Sequence, residues 1–184
     1  MANAHLLIAD ITGSTKLFDA ESTDVALVRV RTALDHMRSI IAANNGNCVK
    51  SVGDDTLSLF ANAEDIFNAA RSMIEHEWND GLNVHIGGAF GFVVNRGEDL
   101  YGDAVITTAR LAALAKPGEF LIDETIYSDL PPPNQMMFVS MGAIKLKGKA
   151  EATRVYSLTL GDLGAQTVFR GSGATTLGRR TESV

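Results

Sequence analysis

The sequence predicts an α/β protein, and three observations carry that reading. Short apolar runs interleave with longer segments whose apolar residues recur every three or four positions, so strand and helix signals alternate along the chain. Breaks at Asn44-Asn45-Gly46, Gly53-Asp54-Asp55 and Lys116-Pro117-Gly118 separate those segments. Composition permits a packed core: 184 residues, 46% hydrophobic and 21% charged, fit one domain with room for a tail and are not those of a disordered chain.

A first strand is predicted over residues 5–9, an apolar run closed by Asp10. Residues 10–15, Asp-Ile-Thr-Gly-Ser-Thr, are rich in capping side chains and can open a helix. Over 24–43, Leu27, Val30, Leu34, Met37 and Ile41 fall at spacings of 3, 4, 3 and 4, which places them on one helical face with Arg31, Asp35 and Arg38 elsewhere. Segments 47–52 and 56–60 read as a hairpin with residues 53–55 at the turn. A second amphipathic helix is predicted over 63–78 through Ile66, Phe67, Ala70, Met73 and Ile74. The next strand, 82–94, carries Gly87, Gly88 and Gly91, a pattern of bending or close backbone approach. A helix over 101–115 is stopped by Pro117. A strand over 119–122, a short helix over 123–130, a proline break at 131–133 and strands over 136–145 and 153–159 complete a domain of residues 1–160. Residues 161–184 hold five glycines and six Ser/Thr without apolar periodicity, and read as a flexible tail or the start of a linker. Arg170, Arg179 and Arg180 there could meet a regulatory domain or partner, although a solvated tail is the simpler reading.

Sixteen Lys+Arg against 22 Asp+Glu leave a net charge of −6, so no domain-wide basic field exists to bind a nucleic-acid backbone. The single cysteine, Cys48, rules out an internal disulfide framework and suits a reducing compartment. The N-terminus lacks the basic flank and apolar stretch of a signal peptide. No run free of Asp, Glu, Lys and Arg exceeds fifteen residues, too short for a membrane span. The expectation is a soluble, cytoplasmic protein. His5, His36, His76 and His85 lack mutual metal-site spacing and read as packed or solvated, and Cys48 as a small core residue.

Two acids stand out by position. Asp10 ends a strand before a Gly/Ser/Thr loop, and Asp54 sits in a tight hairpin turn. Read singly, Asp10 is equally a helix cap and Asp54 an ordinary turn residue. Together, carboxylates on neighbouring strand ends offer oxygen ligands to Mg²⁺ while leaving room for substrate phosphate. Backbone N–H groups of the loop at Thr12, Gly13, Ser14 and Thr15 would favour an anionic phosphate.

Five segments in order then form a recognisable series. They are Leu-Ile-Ala-Asp-Ile-Thr-Gly-Ser-Thr (7–15), Val-Lys-Ser-Val-Gly-Asp-Asp (49–55), Asp-Leu-Tyr-Gly-Asp-Ala-Val with Ala-Arg-Leu-Ala (99–112), Ala-Lys-Pro-Gly-Glu (115–119) and Lys-Leu-Lys-Gly-Lys-Ala-Glu (145–151). The series resembles the class III adenylate/guanylate cyclase catalytic domain over roughly residues 5 to 160. The resemblance implies an α+β sandwich with a ferredoxin-like βαββαβ core, working as a head-to-tail homodimer with sites built across the interface. It implies two divalent cations, Mg²⁺ or Mn²⁺, held by Asp10 and Asp54 with the Ile11 carbonyl, and attack of the ribose 3′-oxygen on the α-phosphorus with release of pyrophosphate. Asp55 adjoins this set and is given no ligand role.

Lys50, four residues before Asp54, matches the family's base-selecting lysine and Asp99 its partner, and the resemblance implies that they read the purine from the other protomer. A lysine that donates and a carboxylate that accepts suit adenine, so the resemblance favours ATP over GTP as substrate. Arg110 matches the arginine that stabilises charge on the α-phosphate, and Lys147 the lysine that grips the terminal phosphates.

One position departs from the pattern. Ile106 stands where the family has an asparagine that orients the ribose in the transition state. Loss of one such donor typically costs ~3–4 kcal/mol, or about 10²–10³ in rate. Thr107 and Thr108 carry hydroxyls nearby, but each further residue along a helix is rotated by about 100°. Two functional readings follow: an adenylate cyclase, of low activity if nothing replaces the asparagine, or a catalytically weak or inactive relative that binds nucleotide or serves as a dimerisation module.

Overall fold

The computed structural model describes residues 2–79, 81–97 and 99–161; Arg170, Arg179 and Arg180 lie outside them. The elements are β1 (Ala2–Thr12), α1 (Ser14–Ala20), α2 (Thr23–Ala43), β2 (Asn47–Val52), β3 (Asp55–Phe60), α3 (Ala63–Glu75), β4 (Asn83–Arg96), β5 (Asp99–Tyr101), α4 (Asp103–Leu114), β6 (Glu119–Asp123), α5 (Glu124–Asp129), α6 (Pro132–Gln135), β7 (Val139–Ile144) and β8 (Thr153–Thr159). Their sheet runs β2-β3-β1-β4-β6-β8-β7, with β5 attached to β4. Within it β1-α2-β2-β3-α3-β4 is an antiparallel βαββαβ unit of order β2-β3-β1-β4, the ferredoxin-like core that the resemblance implies. Helix α4 then crosses to β6, which lies parallel to β4.

Alternation along the strands sends side chains to two unlike faces. Leu7, Ala9 and Ile11 of β1 pack with Val84 and Ile86 of β4 beneath α2 and α3, in the core that holds Phe67, Met73 and Phe120. Leu6 and Val93 face the other way, with Leu100 of β5 and Ala104 of α4. Farther along, Ala89 and Leu121 pack there under Leu111 of α4. The helix sits directly on β4 because of Gly87. A Cβ at that position would lie 2.2 Å from the Ala112 nitrogen and 2.5 Å from the Thr108 carbonyl oxygen. Gly87 and Gly91 of β4 are therefore a close-approach surface for α4, whereas Gly88 faces Phe120 and Ile66 on the other side.

Several predicted boundaries move, each for a reason outside the local sequence. Strand β1 runs from residue 2 to 12 because its whole length pairs with β4, from Ala2↔Val93 to Thr12↔Asn83, so the polar Asn3, Asp10 and Thr12 are drawn into the ladder. Asp55 begins β3 and pairs with Asp10. Helix α3 stops at Glu75, and the Trp78 Nε1–H turns back to the Met73 carbonyl at 2.9 Å. The helix expected from 101 begins at Asp103, preceded by the short strand β5, which pairs with Val94–Arg96. The prolines at 132 and 133 start α6, so β7 opens at Val139. Leu27, expected in the core, is 39% exposed; Ala26 and Ala33 complete the buried face of α2 with Val30, Leu34, Met37 and Ile41.

Candidate active site

Three groups of polar side chains stand out on or beside the α4 face of the sheet. The first gathers at the end of β1. The Ile11 N–H donates to the Asp54 carbonyl at 3.0 Å, pinning the β2–β3 turn against the strand. Ser14 Oγ donates to Asp54 Oδ2 at 2.7 Å, so the carboxylate is fixed from the loop at the start of α1. That loop turns at Gly13, whose φ of 97° favours glycine and whose hypothetical Cβ would lie 2.9 Å from the Gly81 carbonyl oxygen. Asp10 stands between Asp55 on one neighbouring strand and His85 on the other. Burial, and after it the Asp10 carboxylate, push the Asp55 carboxyl above its ordinary value.

His85 is the residue that sequence reasoning missed. Its Nε2 lies 3.3 Å from Asp10 Oδ2, and its Nδ1 lies 2.7 Å from Thr12 Oγ1. It is neither a core histidine nor a solvated one. No local spacing signals this, because only the antiparallel register of β1 on β4 places residue 85 opposite residue 10. Among the described residues no cluster of three or more His, Cys, Asp and Glu forms a ready-made metal cage.

The second group is an ion pair. Lys50 Nζ donates to Asp99 Oδ1, joining β2 to β5 across the open edge of the fold. The register shift between Cys48 and Lys50 marks a bulge in β2 just before this lysine, which pairs with Leu57. Its hydrogen bond to Asp99, and next the charge of that carboxylate, raise the Lys50 pKa.

The third group surrounds α4. Arg110 and Lys147 are exposed and line a shallow depression of about 250 Å³ with Ala113, Leu114, Ile144 and Leu146. Ile106, one helical turn before Arg110, is 50% exposed. Thr107 Oγ1 donates to the Asp103 carbonyl at 2.9 Å and Thr108 Oγ1 to the Ala104 carbonyl at 2.8 Å, so both hydroxyl protons are committed to the helix itself. Lys149 Nζ donates to Asp103 Oδ2 and to Thr107 Oγ1. Among the described residues no hydrogen bond or ion pair links Arg110 or Lys147 to Asp10 or Asp54. Neither acid lines the depression that Arg110 and Lys147 share.

The chain resembles known proteins in both sequence and fold. A family model described as the adenylate and guanylate cyclase catalytic domain matches residues 1–159. An uncharacterized protein of Mycobacterium tuberculosis is 29% identical over 143 residues, 76% of this chain and 37% of that relative. A protein of Streptomyces coelicolor named adenylate cyclase is 27% identical over 124 residues, 66% of this chain and 32% of its own length. This chain thus spans about a third of the curated relatives it matches. Among solved structures, an adenylate/guanylate cyclase/hydrolase from Silicibacter pomeroyi superposes with a TM-score of 0.71 at 24% identity, covering 86% of this chain and 96% of that one. Among the described residues no helix is long and apolar enough to cross a membrane.

Proposed function

The chain belongs to the family of adenylate and guanylate cyclase catalytic domains, and from that premise we propose that it converts ATP to 3′,5′-cyclic AMP and pyrophosphate in sites shared between two copies of itself. The observation that carries the reading is the convergence of Asp10 and Asp54, the turn pinned by the Ile11 N–H and the carboxylate held by Ser14. The donor set fits two divalent cations, Mg²⁺ or Mn²⁺: two carboxylates and the Ile11 carbonyl are all hard oxygen ligands. When bound, such cations neutralise phosphate charge and lower the pKa of a coordinated hydroxyl.

The chain's own residues bind and orient the substrate. Lys50 donates to an acceptor on the purine ring and Asp99 accepts from the exocyclic amine, a pairing supported by their contact across β2 and β5. The backbone at Thr12, Gly13, Ser14 and Thr15 lies beside the phosphates at the start of α1. The ribose 3′-oxygen bonds to the α-phosphorus, its proton leaves to solvent, and the bond from that phosphorus to pyrophosphate breaks. Arg110 stabilises charge on the α-phosphoryl oxygens as this happens, and Lys147 holds the terminal phosphates. Each site draws Arg110 and Lys147, with the purine-reading Lys50 and Asp99, from the second copy. Residues 1–160 form the catalytic domain of an intracellular protein that takes no nucleic acid as ligand.

Ile106 favours a second reading, a nucleotide-binding or dimerisation module with little turnover, because no hydroxyl of Thr107 or Thr108 replaces the missing amide. Product analysis with Mn²⁺-ATP, a GTP control and Asp54→Ala separates the two. Cyclic AMP formed by the wild type and lost in Asp54→Ala supports the cyclase. A dimer that binds ATP and forms no product supports the module.

A further inference from the structure

The Asp10 carboxylate is flanked on neighbouring strands by a like charge, Asp55, and by an imidazole, His85. A short acid beside another acid is pushed from its place unless something holds it, and the holder here is visible. His85 Nε2 sits 3.3 Å from Asp10 Oδ2, while the same ring's Nδ1 sits 2.7 Å from Thr12 Oγ1, two residues along β1 and on the same face of the strand as Asp10. A carboxylate only accepts, so an attractive contact requires the ring proton at Nε2. Thr12 then donates its hydroxyl proton to Nδ1 in the neutral ring, which fixes both the tautomer and the ring plane.

We infer that His85 is a positioning residue for Asp10: locked by Thr12, it restrains one carboxylate oxygen and leaves the other for a divalent cation. The inference rests on the cation-binding reading of Asp10 and Asp54 and adds to it a supporting group that the residue pattern does not reveal. It also assigns the Thr12 side chain a task distinct from any contact of its backbone with phosphate.

The test uses the full chain and Mn²⁺ itself, with free Mn²⁺ followed by electron paramagnetic resonance in the presence of an uncleavable ATP analogue. His85→Phe keeps the ring's bulk without either nitrogen and weakens Mn²⁺ binding about tenfold or more, the usual effect of losing a group that orients a metal ligand. His85→Gln, which keeps an N–H near the Nε2 position, recovers most of that loss, and Thr12→Val weakens binding while Thr12→Ser does not. In the metal-free protein, ¹⁵N spectra of the wild-type His85 ring show protonation at Nε2 and an accepting Nδ1. Wild-type Mn²⁺ affinity in His85→Phe, alongside lost affinity in Asp10→Ala, overturns the inference and leaves the cation site standing. A neutral ring protonated at Nδ1 overturns it too. Undiminished Mn²⁺ binding by Asp10→Ala overturns the cation reading itself, and the inference with it.

Discussion

At position 106 the helix α4 presents a half-exposed isoleucine one turn before Arg110, and the two threonines that follow spend their hydroxyl protons on helix carbonyls. If the family's asparagine acts only in the transition state, Ile106→Asn raises kcat by about 100-fold and leaves KM nearly unchanged; steady-state kinetics with Mn²⁺-ATP check this, and an unchanged kcat contradicts it. Lys50 bears on selectivity instead. Reversing its charge in Lys50→Glu breaks the pair with Asp99 and lowers the ratio of ATP to GTP turnover, so an unaltered ratio contradicts the base-reading role. His5 bears on stability. It is 6% exposed against Phe90, and burial holds its pKa below the ordinary histidine value, with Asp129 at 3.5 Å pulling the other way. The unfolded chain therefore takes up a proton near pH ~6.5 while the folded chain resists, so stability is full above that pH and declines as pH falls below it. Melting temperatures of His5→Phe show a flatter fall than wild type between about pH 6.5 and 5, and an identical fall would refute the assignment.

The helices and their partners show what a local pattern can and cannot reveal. The stripe of Val30, Leu34, Met37 and Ile41 and that of Ile66, Phe67, Met73 and Ile74 face the core as their spacing predicts, because a helix carries its own periodicity. The length of β1, the existence of β5 and the early end of α3 were not legible, since strand pairing and a tryptophan folding back decide them. Gly87 is the sharpest case of a constraint set by a distant element. Gly87→Ala would press a Cβ into the α4 backbone, which cannot swing aside as a side chain could. A cost of about 3 kcal/mol is expected, read as a lower denaturant midpoint at unchanged slope. An unshifted midpoint would mean that α4 does not rest on β4 as described.

Across the whole molecule, the ferredoxin-like core sets Asp10 and Asp54 side by side at one sheet end, and α4 carries Ile106 and Arg110 on an outer face. Asp10, Asp54, Lys50, Asp99, Arg110 and Lys147 were each named from the sequence through their resemblance to a family pattern, while the depression that Arg110 and Lys147 share was not. His85 was not, because its meaning comes from the register of two strands whose contacting residues, Thr12 and His85, are 73 positions apart in the chain. Nor does the sequence reveal that Ser14 and Thr12 turn their hydroxyls toward the acid site, the one to Asp54 and the other to the ring beside Asp10. In the proposed site the acids come from one copy, and Arg110 and Lys147 from the second. The measurement that tests this most directly is complementation, in which Asp54→Ala and Arg110→Ala chains, each inactive alone, are mixed in equal amounts and assayed for cyclic AMP from Mn²⁺-ATP. Half the dimers are then mixed and each has one site free of both substitutions, so activity recovers to about a quarter of wild type. A mixture as inactive as its components, with mixed dimers demonstrably formed, would contradict the shared site.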